Sequence, residues 1–110
     1  MRAQSEQLEG PELEKAYRRL VVYSALDNRI RLKAFFLIAR NPGISFNEVR
    51  NKLKIEKGHL AYHLGLLKAS GLATFTYERK GRTTSRYDLT ERGKQMFREL
   101  TEETSLKLSR

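Results

Sequence analysis

The sequence contains no cysteine, which removes disulfides, thiolate nucleophiles and every cysteine-based metal or redox centre. It holds two prolines and seven glycines in 110 residues, and nowhere do they gather into a linker or a low-complexity tract. Apolar runs are only a few residues long, far short of the roughly 20 that span a bilayer, and no signal-peptide pattern opens the chain. A soluble, cytoplasmic protein in a reducing compartment is expected. There is no internal repeat. The length suits one domain with one modest core and leaves no room for a separate catalytic unit. No nucleophile and base, carboxylate pair or phosphate loop stands in a supporting context, so neither an enzyme nor a cofactor is predicted.

Acidic residues are scarce where they matter most. The net charge is +9. Between positions 50 and 86, Arg50, Lys52, Lys54, Lys57, Lys68, Arg79, Lys80, Arg82 and Arg86 face only Glu56 and Glu78, whereas the first 14 residues carry Glu6, Glu9, Glu12 and Glu14 against Arg2. A small domain with one such basic half points to a polyanionic partner, nucleic acid first. The 39% hydrophobic content still provides for a core.

Periodicity divides the chain. Residues 1–11 read as a flexible lead and 12–110 as one domain. Leu13, Ala16, Tyr17, Leu20, Val21 and Ser24 recur at helical spacing. Asp27 can cap a second helix lined by Ile30, Ala34, Leu37 and Ile38, closed by Asn41, Pro42 and Gly43. Ser45 and Glu48 form a capping box, with Ile44 and Val49 placed as a hydrophobic staple. After a turn at Lys54, Ile55 and Glu56 comes KGHLAYHLGLLKASGL, residues 57–72, in which Leu60, Leu64 and Leu67 form one apolar face and Gly71 supplies a left-handed stop with Leu72 folding back. Two helices joined so tightly make a helix-turn-helix, over 45–71. The period then changes to two: Phe75 and Tyr77, then Tyr87 and Leu89, flank a basic tip, giving a hairpin over 72–89. Thr90 caps a last helix, 90–108, with Met96, Phe97 and Leu100 on its apolar side. The fold class expected is mainly α with a small β-hairpin.

Residues 26–94 resemble the winged helix-turn-helix of ArsR- and MarR-like transcriptional regulators, especially small archaeal ones. GHLAYHLGLLKASGL is similar to their recognition helix and its closing turn, and YDLTERG to the junction after the wing. The resemblance implies a homodimer whose N- and C-terminal helices pair, a recognition helix in the major groove of double-stranded DNA and a wing against the adjacent backbone. Many ArsR-type proteins sense metals through cysteines, and this chain has none, so that property does not carry over.

Within this frame each residue has a chemical and a plain structural reading. His59 and His63 stand four apart, a spacing able to hold a metal, but no HExxH pattern or third histidine accompanies them, and no metal site is assigned. At 100° per residue His63 falls at the edge of the leucine face, whereas Lys57, Gly58, His59 and Tyr62 fall outside it and are the candidates for reading bases. Gly58 costs a helix about 1 kcal/mol relative to alanine, which suggests either close approach of backbone to DNA or a tolerated first-turn glycine. Ser45, Arg50, Lys52, Lys54, His63 and Lys68 are candidates for the DNA backbone. Arg79, Lys80, Arg82 and Arg86 are candidates for wing contacts, against a reading in which they merely guard a sheet edge. Tyr17, Leu20, Val21, Met96, Phe97 and Leu100 are assigned to the dimer interface, unless they complete the core of one protomer. The alternatives to a regulator are an architectural DNA protein with little sequence preference, or a winged helix used for protein or RNA contact. A small-molecule effector, where one binds, is expected between the dimer helices and the recognition unit, and no residue identifies it.

Overall fold

The computed structural model describes residues 10–80 and 82–108, with the side chains at 79, 80, 82, 83 and 103–108 outside the description. The N-terminal lead therefore lies outside the described residues up to position 9. The elements are α1 (Pro11–Leu26), α2 (Arg29–Arg40), β1 (Ile44–Ser45), α3 (Phe46–Leu53), α4 (Lys57–Ala69), β2 (Ala73–Lys80), β3 (Arg82–Leu89) and α5 (Glu91–Leu108).

Each boundary has a local cause. Pro11 opens α1 at its first turn, where a missing N–H loses nothing. The cap of α2 is Asn28, one residue after the expected Asp27: its extended backbone lets the side-chain oxygen accept from the Arg31 N–H at 3.0 Å. The capping box of α3 forms as expected, with Ser45 Oγ accepting from the Glu48 N–H at 3.1 Å and Glu48 Oε1 accepting from the Ser45 N–H at 3.0 Å. At the end of α4 the Leu72 N–H donates to the Leu67 carbonyl and the Gly71 N–H to the Lys68 carbonyl, both at 3.0 Å. This is the Schellman pattern, and it needs the φ of +79° that Gly71 adopts.

The expected hairpin is part of a larger sheet. Three antiparallel strands run in the order β1-β3-β2, with Ile44 opposite Tyr87 and Phe75 opposite the same residue from the other side. The two-residue β1 is too short to show a period in the sequence, yet it ties the N-terminus of α3 to the root of the wing.

The core lies between α4 and the rest. Leu60, Leu64 and Leu67 are buried together with Val22, Leu26, Phe35, Ile38, Val49, Leu72 and Leu89. Each large side chain so buried contributes roughly 1.5–3 kcal/mol. Met96 belongs to this core, at 7% exposure, and Phe97 stands edge-on to Phe36 and Phe35 at 5.0 and 6.2 Å between ring centroids. The assignment of Met96 to a dimer interface is thus corrected, since it is buried in the core of one protomer, and half-buried Phe97 packs α5 against α2.

The junction of wing and last helix rests on the Schellman turn. Thr90 donates through its N–H to the Leu72 carbonyl at 3.1 Å and through Oγ1 to the Gly71 carbonyl at 2.6 Å, while Oγ1 accepts from the Gly93 N–H at 2.9 Å. A Cβ at position 93 would run into the Leu72 carbonyl oxygen and crowd Leu89 Cβ at 3.2 Å. Helix propensity alone predicts that Gly93→Ala stabilises α5 by about 1 kcal/mol, whereas the close approach predicts a net loss of roughly 1–3 kcal/mol from overpacking. Urea unfolding of Gly93→Ala is expected to show the loss, with the midpoint falling and the slope unchanged.

Candidate nucleic-acid interface

Burying its leucine face commits α4 to presenting the opposite face outward. Lys57, Gly58, His59, Ala61, Tyr62 and Gly65 are all exposed, Tyr62 at 61%. No acidic residue lies within the first turn of the helix, and Glu56, at its N-cap, makes no side-chain capping bond. A Cβ at Gly58 or Gly65 would meet nothing within 4 Å, so no packing inside the protein requires glycine at either place.

The start of α4 lines an open cleft of about 800 Å³ together with Phe46 and Asn47 of α3 and Thr84, Ser85 and Tyr87 of β3. The structure therefore brings Lys57 and Gly58 beside the root of the wing. Asn47, Thr84 and Ser85 were not singled out from the sequence. Their only signal there was a polar residue just inside a capped helix and a run of hydroxyls following the wing tip, and neither names a cleft without the β1–β3 pairing. Tyr77, on β2, is exposed at 63% and was likewise not assigned.

The expected backbone-contacting residues divide. Arg50 and Lys54 are exposed on α3 and at its C-cap, and Lys54 adopts a left-handed φ of 55°, a conformation that costs a non-glycine residue of order 1 kcal/mol. Lys52 is exposed too, but it sits about 140° around α3 from Asn47, lining a separate apolar recess with Leu32, Phe36 and Arg40. Lys68 places its Nζ 4.2 Å from the centroid of the Phe75 ring, fastening the end of α4 to β2. Ser45 and His63 are corrected as DNA contacts. Ser45 is 8% exposed and its hydroxyl caps α3. His63 is 3% exposed, with Nδ1 3.2 Å from Arg31 Nη1 and Nε2 3.0 Å from His59 Nε2.

Of the wing cations, the side chains of Arg79, Lys80 and Arg82 lie outside the described residues; their backbone belongs to β2 and β3, with Lys80 opposite Arg82. Arg86, with its side chain 38% exposed, also fastens the sheet. It donates through Nε to Glu78 Oε2 at 3.1 Å and through Nη1 to the Gly43 carbonyl at 3.2 Å, and lies 4.0 Å from Glu48 Oε1. The strand register causes this, since Arg86 pairs with both Ser45 and Thr76 and stands between the two carboxylates.

The Nε2 atoms of the two histidines face each other at 3.0 Å, and among the described residues no third histidine or carboxylate joins them. Burial, then the neighbouring His59 and Arg31, hold His63 below its ordinary value of 6.5. The sign follows: as pH drops under about 6.5 the unfolded chain takes up a proton that the folded chain refuses. Stability is therefore complete above that pH and declines below it, by at most about 1.4 kcal/mol per pH unit. Thermal melting between about pH 7.5 and 5.5 is expected to show this decline in the wild type and a flatter profile in His63→Gln.

The family model for the winged helix DNA-binding domain matches residues 30–106. No curated protein matches the chain in sequence. Among solved structures, reduced HlyU from Vibrio cholerae is 26% identical, with a TM-score of 0.67 over 83% of this chain and 94% of that one. NolR from Sinorhizobium fredii is 23% identical, with a TM-score of 0.68 over 86% and 92%. The homodimeric winged helix-turn-helix DNA-binding domain of Mb0332 from Mycobacterium bovis is 19% identical, with a TM-score of 0.74 over 91% and 90%. With a three-stranded sheet beside the helix-turn-helix and a family match over most of its length, the chain belongs to the winged helix DNA-binding domain family.

Proposed function

We propose that the protein is a homodimeric transcriptional regulator that binds double-stranded DNA with sequence preference, α4 entering the major groove and the wing lying along the backbone or the adjacent minor groove. The observation that carries this reading is the division of α4 into a buried leucine face and an exposed face bearing Lys57, His59 and Tyr62 next to the cleft under the wing. Lysines and arginines supply most of the affinity by displacing counterions from phosphates, and a few edge contacts select sequence. Lys57, His59 and Tyr62 read bases, with Gly58 allowing the backbone to come close. Arg50, Lys54 and Lys68 meet phosphates, and Arg79, Lys80 and Arg82 extend the cationic surface along the wing. Asn47, from the other helix of the motif, adds an amide suited to adenine.

The dimer rests on α1. Every residue from Pro11 to Val21 is exposed, including Leu13, Tyr17 and Leu20 at 50, 63 and 63%. These three repeat at four and three residues, so they form one apolar stripe that the protomer leaves uncovered. A second copy of the chain covers it, with Val21 at its edge, and the similar Mb0332 domain is a homodimer. Leu100 lines a recess with Arg19 and Tyr23, placing α5 beside α1. Two-fold symmetry then sets two copies of α4 about 34 Å apart, one turn of duplex. Leu20→Glu is expected to yield monomers in sedimentation equilibrium while retaining the helical circular dichroism of α2–α5.

A specific feature favours a second reading. The exposed face of α4 carries no Arg, Asn or Gln, and Gly58, Ala61 and Gly65 leave much of it smooth, which suits a chromosome-coating protein that recognises shape more than sequence. Anisotropy titrations of selected and random duplexes over a salt series separate the two. A regulator keeps a preference of about a thousandfold or more; a coating protein does not. In the same series Lys54→Gly, which relieves the left-handed backbone, is expected to keep wild-type stability while lowering the salt slope by about 0.9 for each phosphate that the lysine neutralises. An unchanged slope removes Lys54 from the interface.

A further inference from the structure

His59 and His63 are joined by a hydrogen bond that one obligatory donor polarises. Arg31 stands on α2 with Nε donating to the Ala25 carbonyl at 2.6 Å and Nη1 placed 3.2 Å from His63 Nδ1. A guanidinium has no acceptor and stays charged, so Nδ1 of His63 must offer its lone pair. In a neutral ring the proton then sits on Nε2, which donates across 3.0 Å to His59 Nε2. That atom is the acceptor, so neutral His59 carries its proton on Nδ1. Burial and the cationic neighbour keep His63 uncharged, which is what the chain of bonds requires. His59 itself is exposed on the outer face of α4, and no bond among the described residues takes up its Nδ1–H.

We propose that Arg31 and His63 act as positioning residues that lock His59 in its Nδ1–H form, making it a fixed hydrogen-bond donor that reads the 7-nitrogen of a purine in the major groove. This rests on the DNA-binding reading above and deepens it by assigning the polarity of one contact. The 7-nitrogen is an acceptor shared by adenine and guanine, whereas cytosine presents only an amino donor on that edge. A histidine free to exchange tautomers could present either a lone pair or a proton there. Held by His63, it presents the proton, and a purine is preferred over cytosine at that position without any bidentate side chain on α4.

The test has two arms on the full chain. Long-range proton–nitrogen correlation spectra of nitrogen-15 histidines at about pH 8, above the ordinary histidine range, are expected to show His63 as the Nε2–H form and His59 as the Nδ1–H form. In His63→Leu, His59 is expected to move to the Nε2–H form that unconstrained histidines favour. In His63→Gln, whose carbonyl can accept from Arg31 and whose amide can donate onward, the Nδ1–H form is expected to return. In the second arm, purines of a duplex recovered by selection from a random pool are replaced one at a time by 7-deaza analogues. One replacement is expected to weaken wild-type binding by roughly three- to tenfold, the worth of one neutral hydrogen bond, and to leave His63→Leu and His59→Ala binding unchanged.

Nε2–H His59 in the wild type overturns the inference, as does a duplex insensitive to every 7-deaza substitution. Either result leaves DNA binding standing. Failure to bind any duplex at low salt overturns the functional reading and the inference with it.

Discussion

The constraint on which the rest depends is the docking of α4 by its leucines. Leu60 and Leu67 are fully buried and Leu64 nearly so, and three such side chains contribute several kcal/mol in a fold whose whole net stability is of order 5–15 kcal/mol. Rotating the helix by one residue would carry each leucine about 100° toward solvent, so the rotation angle is fixed, and with it the identity of every exposed residue. The ends are fixed as well. At its C-terminus the Schellman bonds of Gly71 and Leu72 double as the platform on which Thr90 and Gly93 seat the last helix. The wing leaves and returns at this one turn, because Ala73 pairs with Leu89 immediately beyond it. Thus the same leucine packing that hides half of α4 also sets the place from which the wing projects.

A second, polar constraint complements the apolar one. Arg31 bonds a carbonyl in the last turn of α1 and a ring nitrogen in the middle of α4, so the angle between these helices is held by directional bonds as well as by contact. Arg86 does the corresponding work at the wing, linking β2, the loop before β1 and the cap of α3. Both arginines are tied into the frame, Arg86 with its side chain still 38% exposed. Among the described residues, the cations exposed on and beside the helix-turn-helix are Lys57 and Lys68 on α4 and Arg50, Lys52 and Lys54 on the helix before it.

What could be read in the sequence is what local chemistry decides. The capping box at Ser45, the Gly71 stop, the Thr90 cap and the 3.6-residue period of α4 are each written within a few residues, and each is present. What could not be read depends on partners distant in the chain. A two-residue strand has no period, so β1 was invisible until β3 supplied its register. Asp27 and Asn28 are equally good caps on paper, and only the backbone angles choose the second. The ties of Arg86 were not legible, because Glu78 and Glu48 become its neighbours only through the sheet. Met96 and Phe97 shared an apolar face with α5 residues that suit a dimer, and the aromatic cluster with Phe35 and Phe36 claimed them for the protomer. Ser45 is legible as a cap and His63 as a helical residue, yet the depth at which each sits comes from packing that periodicity does not report.

His63 remains the residue whose presence stability explains least. It occupies a buried position at the margin of a leucine face, where an apolar side chain of similar volume would avoid the desolvation of two ring nitrogens. Both nitrogens are satisfied, and among the described residues no buried side-chain polar atom lacks a partner, so the arrangement is tolerable. Satisfied is not the same as favoured: exchanging both partners of a buried polar pair for apolar groups of the same shape is often neutral or stabilising. A core selected for stability alone has no reason to hold a histidine here, nor to spend an arginine on orienting it. The consequence that does distinguish this pair from an apolar substitute appears at the surface, in the proton-bearing state of His59. The polar link therefore belongs with the exposed face of α4 more than with its core, although its central residue is buried.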